Sequence, residues 1–208
     1  MTQLQKISEF AKKIHSADKS GHDFAHITRV VALAKKIVNT IPEADENLVL
    51  ATCYLHDTYD AKLTENVLKQ KQEVKAFLTS IDFQKIDELF YIIDNMSFSA
   101  NLLKQKKLDI NGQIVQDADR LDAMGAWGIV RTLEYSWAKN RKIYDPTIQP
   151  TTYQNKEEYH TEESTAINHF YEKLFLLKDL LNTEEGKKIG AKKDQLMHDF
   201  VEAIIEEY

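Results

Sequence analysis

Three His-Asp pairs are the residues of this 208-residue sequence whose types and spacing could do chemistry. They occupy positions 22–23, 56–57 and 198–199. Imidazole nitrogens and carboxylate oxygens are ligands that several divalent metal ions accept together, and a bound ion can activate a water molecule. Because such a pair arises easily by chance, its position in the fold must decide whether it does chemistry.

The pair His56-Asp57 has the most informative position, since it follows the apolar segment ATCYL and closes a predicted helix. An ionised carboxylate at the end of a buried helix must be paired, capped or bound to a metal. By contrast, the pair at 198–199 lies on the polar side of the last predicted helix, and Asp23 is a predicted N-cap. The residues therefore favour His56-Asp57 as the candidate metal-binding pair.

Further candidate ligands lie on two other predicted helices. His26 is on the apolar side of the second helix, so its side chain points into the core. The segment QIVQDADRLDAMGA places Asp117, Asp119 and Asp122 among apolar residues, where three carboxylates need a cation. Arg120 can satisfy one of them and a metal ion another. Two imidazoles with two carboxylates suit a borderline divalent ion such as Mn, Fe, Co, Ni or Zn.

Helical periodicity runs through nearly the whole chain, and no segment shows the sustained alternation of a strand. We predict an all-α bundle of about eight helices. They cover approximately residues 2–16, 24–41, 45–57, 64–79, 83–95, 113–139, 162–182 and 184–207. The sixth is predicted as one long helix, although Gly125 and Gly128 each cost it about 1 kcal/mol of helix propensity relative to alanine.

Composition narrows the classes of function. The chain has 43% hydrophobic residues and a length that fits one domain. Its 27 Lys+Arg and 33 Asp+Glu residues give a net charge of −6, which argues against a nucleic-acid polymer as partner. No apolar run approaches the roughly 18 residues of a membrane span, and the N-terminus does not resemble a signal peptide. We therefore expect a cytoplasmic protein with no membrane partner.

The order H…HD…D, with its flanking residues, resembles the HD-domain superfamily of metal-dependent phosphohydrolases. The resemblance is carried by GHDFAHITRVVALA, ATCYLHDTYD and IVQDADRLDAMGA, and a helical tail extends it through most of the chain. It implies one all-α HD domain over residues 1–208, with a metal-binding core over about 20–135 and C-terminal helices over about 160–208. The pattern is similar to small bacterial HD proteins, including pyrophosphohydrolases that cleave a nucleoside triphosphate to monophosphate and pyrophosphate.

The resemblance also implies a ligand set for the metal: His26, His56, Asp57 and Asp119. The spacing HITRV selects His26 rather than His22, and the A-D-x-L element selects Asp119 rather than Asp117. Family members with two metals carry extra histidines between the HD pair and the last aspartate, whereas residues 58–118 contain none here. The expectation is one divalent ion, with Mn first and Fe, Co, Ni, Zn or Mg as alternatives.

Asp60 is the predicted catalytic residue, because related nucleotidases place an acidic residue there that orients or deprotonates the attacking water. The alternative is a loop carboxylate that pairs with Lys62. Fixed cations could stabilise charge on a phosphate. The candidates for substrate contacts are Arg29, Lys62, Arg120, Lys173 and His22, with His169 as a similar case. For each of them, a salt bridge or a local hydrogen bond is the alternative interpretation.

The expected reaction is therefore hydrolysis of a small phosphorylated substrate, a nucleotide first, by water activated at a metal. Within the superfamily, a 5′-nucleotidase, a phosphodiesterase or an alarmone hydrolase would share the fold and the metal. A different class of function is a non-catalytic helical regulatory module that keeps the metal for stability. The sequence leaves the oligomeric state open, a homodimer included.

Overall fold

A computed structural model describes residues 1–16, 23–61, 63–97, 106–151 and 164–208 of the chain. Two predicted substrate-contact residues, His22 and Lys62, lie outside these ranges. The described residues contain nine α-helices and no strand, which confirms the all-α fold. None of these helices combines the length and the apolar character that crossing a membrane requires.

The described residues form two compact units, one of residues 1–97 with 106–115 and one of residues 116–208. The helices of the first unit are α1 (Gln3–His15), α2 (Phe24–Val38), α3 (Glu46–Leu55), α4 (Val67–Ser80), α5 (Ile86–Met96) and the first part of α6 (Ile110–Asp122). The second unit holds the end of α6, then α7 (Gly125–Ala138), α8 (Ala166–His169) and α9 (Glu184–Glu206). The single-domain organisation stays a prediction.

Side-chain caps fix where the helices of the first unit begin. Asp23 accepts a hydrogen bond from the backbone N–H of His26 at 2.9 Å, which confirms the predicted cap of α2. Asp45 caps α3 by accepting from Leu48 at 3.0 Å. The backbone N–H of Asp45 donates to the side chain of Asn111 at 2.7 Å, which ties the start of α3 to α6.

The core of the first unit is built from the apolar stripes that the periodicity predicts. Its largest fully buried side chains are Ile7, Ile27, Ile37, Leu48, Leu55, Leu78, Leu89 and Ile114. They come from six helices, so α2 and α3 are held from several sides. Both helices carry candidate metal ligands at ends adjoining this core.

The predicted long helix over 113–139 is in fact two helices, α6 and α7, and the prediction is wrong here. Gly125 has φ +68°, a left-handed conformation that an α-helix cannot continue through and that glycine adopts without strain. At Gly128, a Cβ atom would lie 2.3 Å from the carbonyl oxygen of Ala123. The two glycines thus permit a tight corner between the helices.

The segment predicted as a helix over 162–182 is also different. Thr165 caps α8 by accepting from the backbone of Asn168 at 3.0 Å, so the helix begins only at Ala166. After one turn it widens to a π-helical turn over Phe170–Leu174 and then narrows to a 3₁₀ helix over Phe175–Leu180. Helical periodicity in the sequence predicts that this segment is helical, but it does not distinguish an α-helix from a π or 3₁₀ helix.

Asp117 joins α6 to the start of α9. Its fully buried carboxylate accepts from the backbone N–H groups of Asn182 and Thr183, from the Asn182 amide and from the Thr183 hydroxyl, at 2.7–3.1 Å. Thr183 in turn caps α9 by accepting from Gly186 at 3.1 Å. A Cβ atom on Gly186 would lie 2.5 Å from the Asp117 carboxylate, so glycine permits this close approach.

Glu172 joins two stretches that are distant in sequence. Its Oε1 atom accepts from the backbone N–H of Thr151 at 3.2 Å and from the hydroxyl of Ser164 at 2.8 Å. Nearby, the amide of Asn168 donates to the carbonyl of Ile148 at 2.9 Å. The residues on either side of 152–163 are therefore fastened to the same part of the second unit.

Candidate metal centre

His26 reaches the centre from the first turn of α2. Because Asp23 caps this helix through the backbone N–H of His26, the cap and the side chain belong to the same turn. The imidazole is only 2% exposed. A polar ring buried to this extent needs polar partners or a metal.

His56 and Asp57 reach the centre from the turn that closes α3. The helix ends at Leu55, and both the backbone N–H and the hydroxyl of Thr58 donate to the Leu55 carbonyl, at 3.0 and 2.7 Å. The backbone N–H of Asp60 donates to the carbonyl of Asp57 at 3.0 Å. These bonds define the turn of residues 56–60, which we call the HD turn.

The tautomer of His56 follows from a contact that sequence reasoning missed. Its Nδ1 atom lies 2.9 Å from the carbonyl oxygen of Cys53, and a carbonyl can only accept, so Nδ1 carries the proton. The neutral ring then presents a lone pair at Nε2, as a metal ligand must. The sequence does carry a signal for this contact, because a side chain at the end of a helix lies close to the carbonyl group three residues earlier.

Three donor atoms converge at the centre. The Nε2 atoms of His26 and His56 lie 3.3 Å apart, and Asp57 Oδ2 lies 3.5 and 3.4 Å from them. Ligands held about 2.1 Å from one ion lie about 3.0–3.4 Å apart in octahedral or tetrahedral geometry. Two imidazole nitrogens and one carboxylate oxygen also suit a borderline divalent ion. The donor set therefore fits a divalent metal.

The three aspartates of α6, which are Asp117, Asp119 and Asp122, all belong to the second unit, and each has different neighbours. Asp119 is half-buried, and its role as the fourth ligand stays a prediction. Asp117 is structural, as the bonds to Asn182 and Thr183 show. Asp122 is buried and accepts from the Arg131 guanidinium at 2.7 Å. Two of the three carboxylates thus have partners that stabilise the fold.

Arg120 is buried and donates to the carbonyl of Leu180. Burial lowers the pKa of this guanidinium, while the charges of Asp117 and Asp119 raise it. An arginine so enclosed has at least one structural task, fastening α6 to the 3₁₀ segment. Its contact with a substrate stays a prediction.

The remaining candidates are divided between the two units. Arg29 is half-buried on α2, one turn after His26, and Asp60 is half-buried in the HD turn. In the second unit, Lys173 lies one turn after His169. Burial, together with the charges of Lys173 and Arg141, lowers the pKa of His169 to about 3, so this imidazole is neutral at pH 7. Roles in catalysis or substrate binding stay predictions for all of them.

Several known proteins are similar to this chain in sequence and fold. The HD-domain family model matches residues 23–124. A solved structure from Lactobacillus plantarum has a TM-score of 0.88 and 41% identity, covering 100% of this chain and 98% of that chain. An HD-superfamily hydrolase from Bacillus thuringiensis has a TM-score of 0.77 and 34% identity, covering 99% and 96%.

A third relative is YpgQ of Bacillus subtilis strain 168, an uncharacterized protein. It is 32% identical over 204 residues, which cover 97% of this chain and 91% of YpgQ. The crystal structure of YpgQ in complex with ADP has a TM-score of 0.77 and 29% identity, covering 99% of this chain and 97% of that one.

Buried histidines and an aspartate in one helical unit, with these relatives, define a class of protein. The chain belongs to the HD-domain family and is a hydrolase of the HD superfamily.

Proposed function

We propose that the chain is a metal-dependent nucleotide pyrophosphohydrolase, which converts a nucleoside triphosphate and water to a monophosphate and pyrophosphate. The observation that carries the proposal is the convergence of His26, His56 and Asp57 at the spacing of ligands on one ion. The complex of the relative YpgQ with ADP supports a nucleotide as substrate.

The proposed division of labour begins with the ligands. His26, His56 and Asp57 hold the ion, and Asp119 completes the set. When bound, the metal lowers the pKa of a coordinated water and polarises a phosphoryl oxygen. Manganese is the ion we propose first, since its chemistry accommodates both imidazole and carboxylate.

Asp60 orients the attacking water and takes its proton. The water oxygen forms a bond to the α-phosphorus, the bond from that phosphorus to the bridging oxygen breaks, and pyrophosphate leaves with the electron pair. Arg29 and Lys173 are the proposed cations for the charge that develops on the phosphoryl oxygens. No covalent enzyme intermediate is needed.

Product analysis tests this proposal directly. The protein is incubated with each nucleoside triphosphate and Mn, Co, Ni, Zn or Mg in ¹⁸O-labelled water. We expect equal amounts of monophosphate and pyrophosphate, with the label in the monophosphate because water attacks the α-phosphorus. Orthophosphate released from monophosphates would instead show a nucleotidase. Inactivity toward every phosphate ester in the presence of bound metal would support a regulatory module.

The role of Asp60 gives a separate prediction. Asp60→Asn removes the proton acceptor at nearly constant shape, so kcat should fall about 100-fold or more while metal affinity is kept. Steady-state kinetics and metal content check both parts. The matched control is Asp87→Asn, since the Asp87 side chain on α5 is 97% exposed and should be indifferent. An unchanged kcat in Asp60→Asn would remove this residue from the mechanism.

A further inference from the structure

The HD turn is attached to the rest of the first unit through Tyr59, which lies between the ligand Asp57 and the proposed base Asp60. The side chain is only 7% exposed. Its hydroxyl donates to Asp94 Oδ1 of α5 at 3.0 Å. The backbone N–H groups of Thr58 and Asp60 donate within residues 55–60, whereas the hydroxyl of Tyr59 connects the turn to a helix more than thirty residues away.

Lys71 of α4 completes the attachment. Its ammonium group forms an ion pair with Asp94 Oδ2, and it lies 5.3 Å from the ring centroid of Tyr59 and 5.1 Å from that of Phe90. The rings of Tyr59 and Phe90 are themselves 5.8 Å apart and tilted by 47°. One cation thus contacts the carboxylate and both rings, and it brings α4, α5 and the HD turn together.

The arrangement has a clear mechanical consequence. His56 is the C-cap of α3 and Asp57 lies one residue further on, so this pair is held less firmly than residues inside the helix. The ladder of backbone bonds in the turn is short, and ligand atoms must stay within a few tenths of an ångström of productive geometry. The orientation of the turn therefore depends in part on tertiary contacts, and Tyr59 makes one of them.

We propose that Tyr59 is a positioning residue, which, through Asp94 and Lys71, holds the HD turn in the conformation that binds the metal. Tyr59 does not itself touch the metal or the substrate. The inference rests on the proposed function in assigning a metal to the centre, but it does not depend on which phosphate ester is hydrolysed.

The test is Tyr59→Phe, which removes the hydroxyl and keeps the ring. Residues that support metal ligands typically contribute about 10–100-fold to metal affinity, and Tyr59 acts one step further away. We expect the Kd for Mn²⁺ to rise about three- to tenfold and the visible absorption bands of bound Co²⁺ to shift. The thermal midpoint of the metal-free protein should change little, because the ring still packs on Phe90.

Variants of Asp94 test the same contact from its other partner, so the result does not depend on whether Tyr59→Phe folds. Asp94 is partly exposed, so Asp94→Ala should fold, and it should reproduce the Mn²⁺ and Co²⁺ changes of Tyr59→Phe. The double variant Tyr59→Phe with Asp94→Ala should bind Mn²⁺ about as tightly as either single variant, since both substitutions remove the same Tyr59–Asp94 hydrogen bond. Asp94→Asn keeps an oxygen that accepts from Tyr59 and should recover part of the affinity.

Tyr91→Phe is the matched control. Tyr91 lies on α5, as Asp94 does, and is 52% exposed, so the Kd of this variant for Mn²⁺ should equal that of the wild type. A wild-type Kd and an unchanged Co²⁺ spectrum in both Tyr59→Phe and Asp94→Ala would overturn the positioning role. These measurements need no nucleotide. A wild-type protein that binds metal but hydrolyses no triphosphate would contradict the proposed function alone.

Discussion

Asp57→Ala is expected to abolish both the retention of a divalent metal and the hydrolysis of phosphate esters. Asp57 supplies the only negative charge in the cluster with His26 and His56, which the described part of the first unit places together. Without it, the ion would keep two neutral imidazoles and the proposed ligand Asp119, so it loses one ligand and half of the negative charge that neutralises it. Since residues that merely support ligands contribute about 10–100-fold, we expect a loss of affinity beyond 100-fold.

Metal content after dialysis and the thermal midpoint with and without Mn²⁺ measure this loss. A ligand present at 100 times its Kd stabilises the native state by about 2.7 kcal/mol, so the wild type should show a metal-dependent midpoint and the variant should not. Asp87→Ala, at an exposed carboxylate of α5, serves as the control for a simple change of charge. Full metal content in Asp57→Ala would show that the centre is assigned wrongly.

Asp117→Ala should cause the largest loss of stability among the aspartates of α6. The carboxylate is fully buried and accepts four different donors of Asn182 and Thr183. Its removal takes the acceptor from the two buried donors of Thr183 and from the backbone N–H of Asn182, whose side-chain amide keeps its bond to Gln116. It also removes a negative charge that supports the buried Arg120. Breaking a buried charged network of this kind costs about 3–5 kcal/mol, which for a chain of this length lowers the midpoint by about 10 °C.

Asp119→Ala is the matched comparison, because Asp119 lies two residues after Asp117 on the same helix, α6. If Asp119 is the fourth ligand, its variant should keep most of its stability in the absence of metal and lose metal affinity and turnover. Asp117→Ala should show the opposite pattern, with residual activity below its lowered midpoint. Chemical denaturation and kcat at a temperature where both variants are folded separate the two effects. The reverse ranking would exchange the roles of the two carboxylates.

The sequence predicts those parts of the fold that depend on local pattern. The apolar stripes of α2 and α3 repeat at helical spacing, and Asp23 stands where a cap is needed, so both helices and the cap are confirmed. The meeting of His26 with His56 and Asp57 also follows, since each belongs to the inward side or the end of a buried helix. Local chemistry and burial agree at these positions.

The parts that the sequence did not predict depend on contacts between distant residues. Gly125 counts as a small loss of helix propensity in a sequence, whereas its positive φ appears only when α7 must turn away from α6. The buried task of Asp117 depends on Asn182 and Thr183, and no local pattern joins those positions. The contact of Tyr59 with Asp94 is equally distant. Propensity cannot describe such pairs, because their energy arises from tertiary packing.

The carboxylate of Glu172 has a consequence for how the chain tolerates change. Because Thr151 and Ser164 bind the same oxygen atom, the body of the second unit already brings the ends of the intervening stretch together. The chain therefore tolerates change poorly at Glu172, because loss of this one carboxylate would release both Thr151 and Ser164.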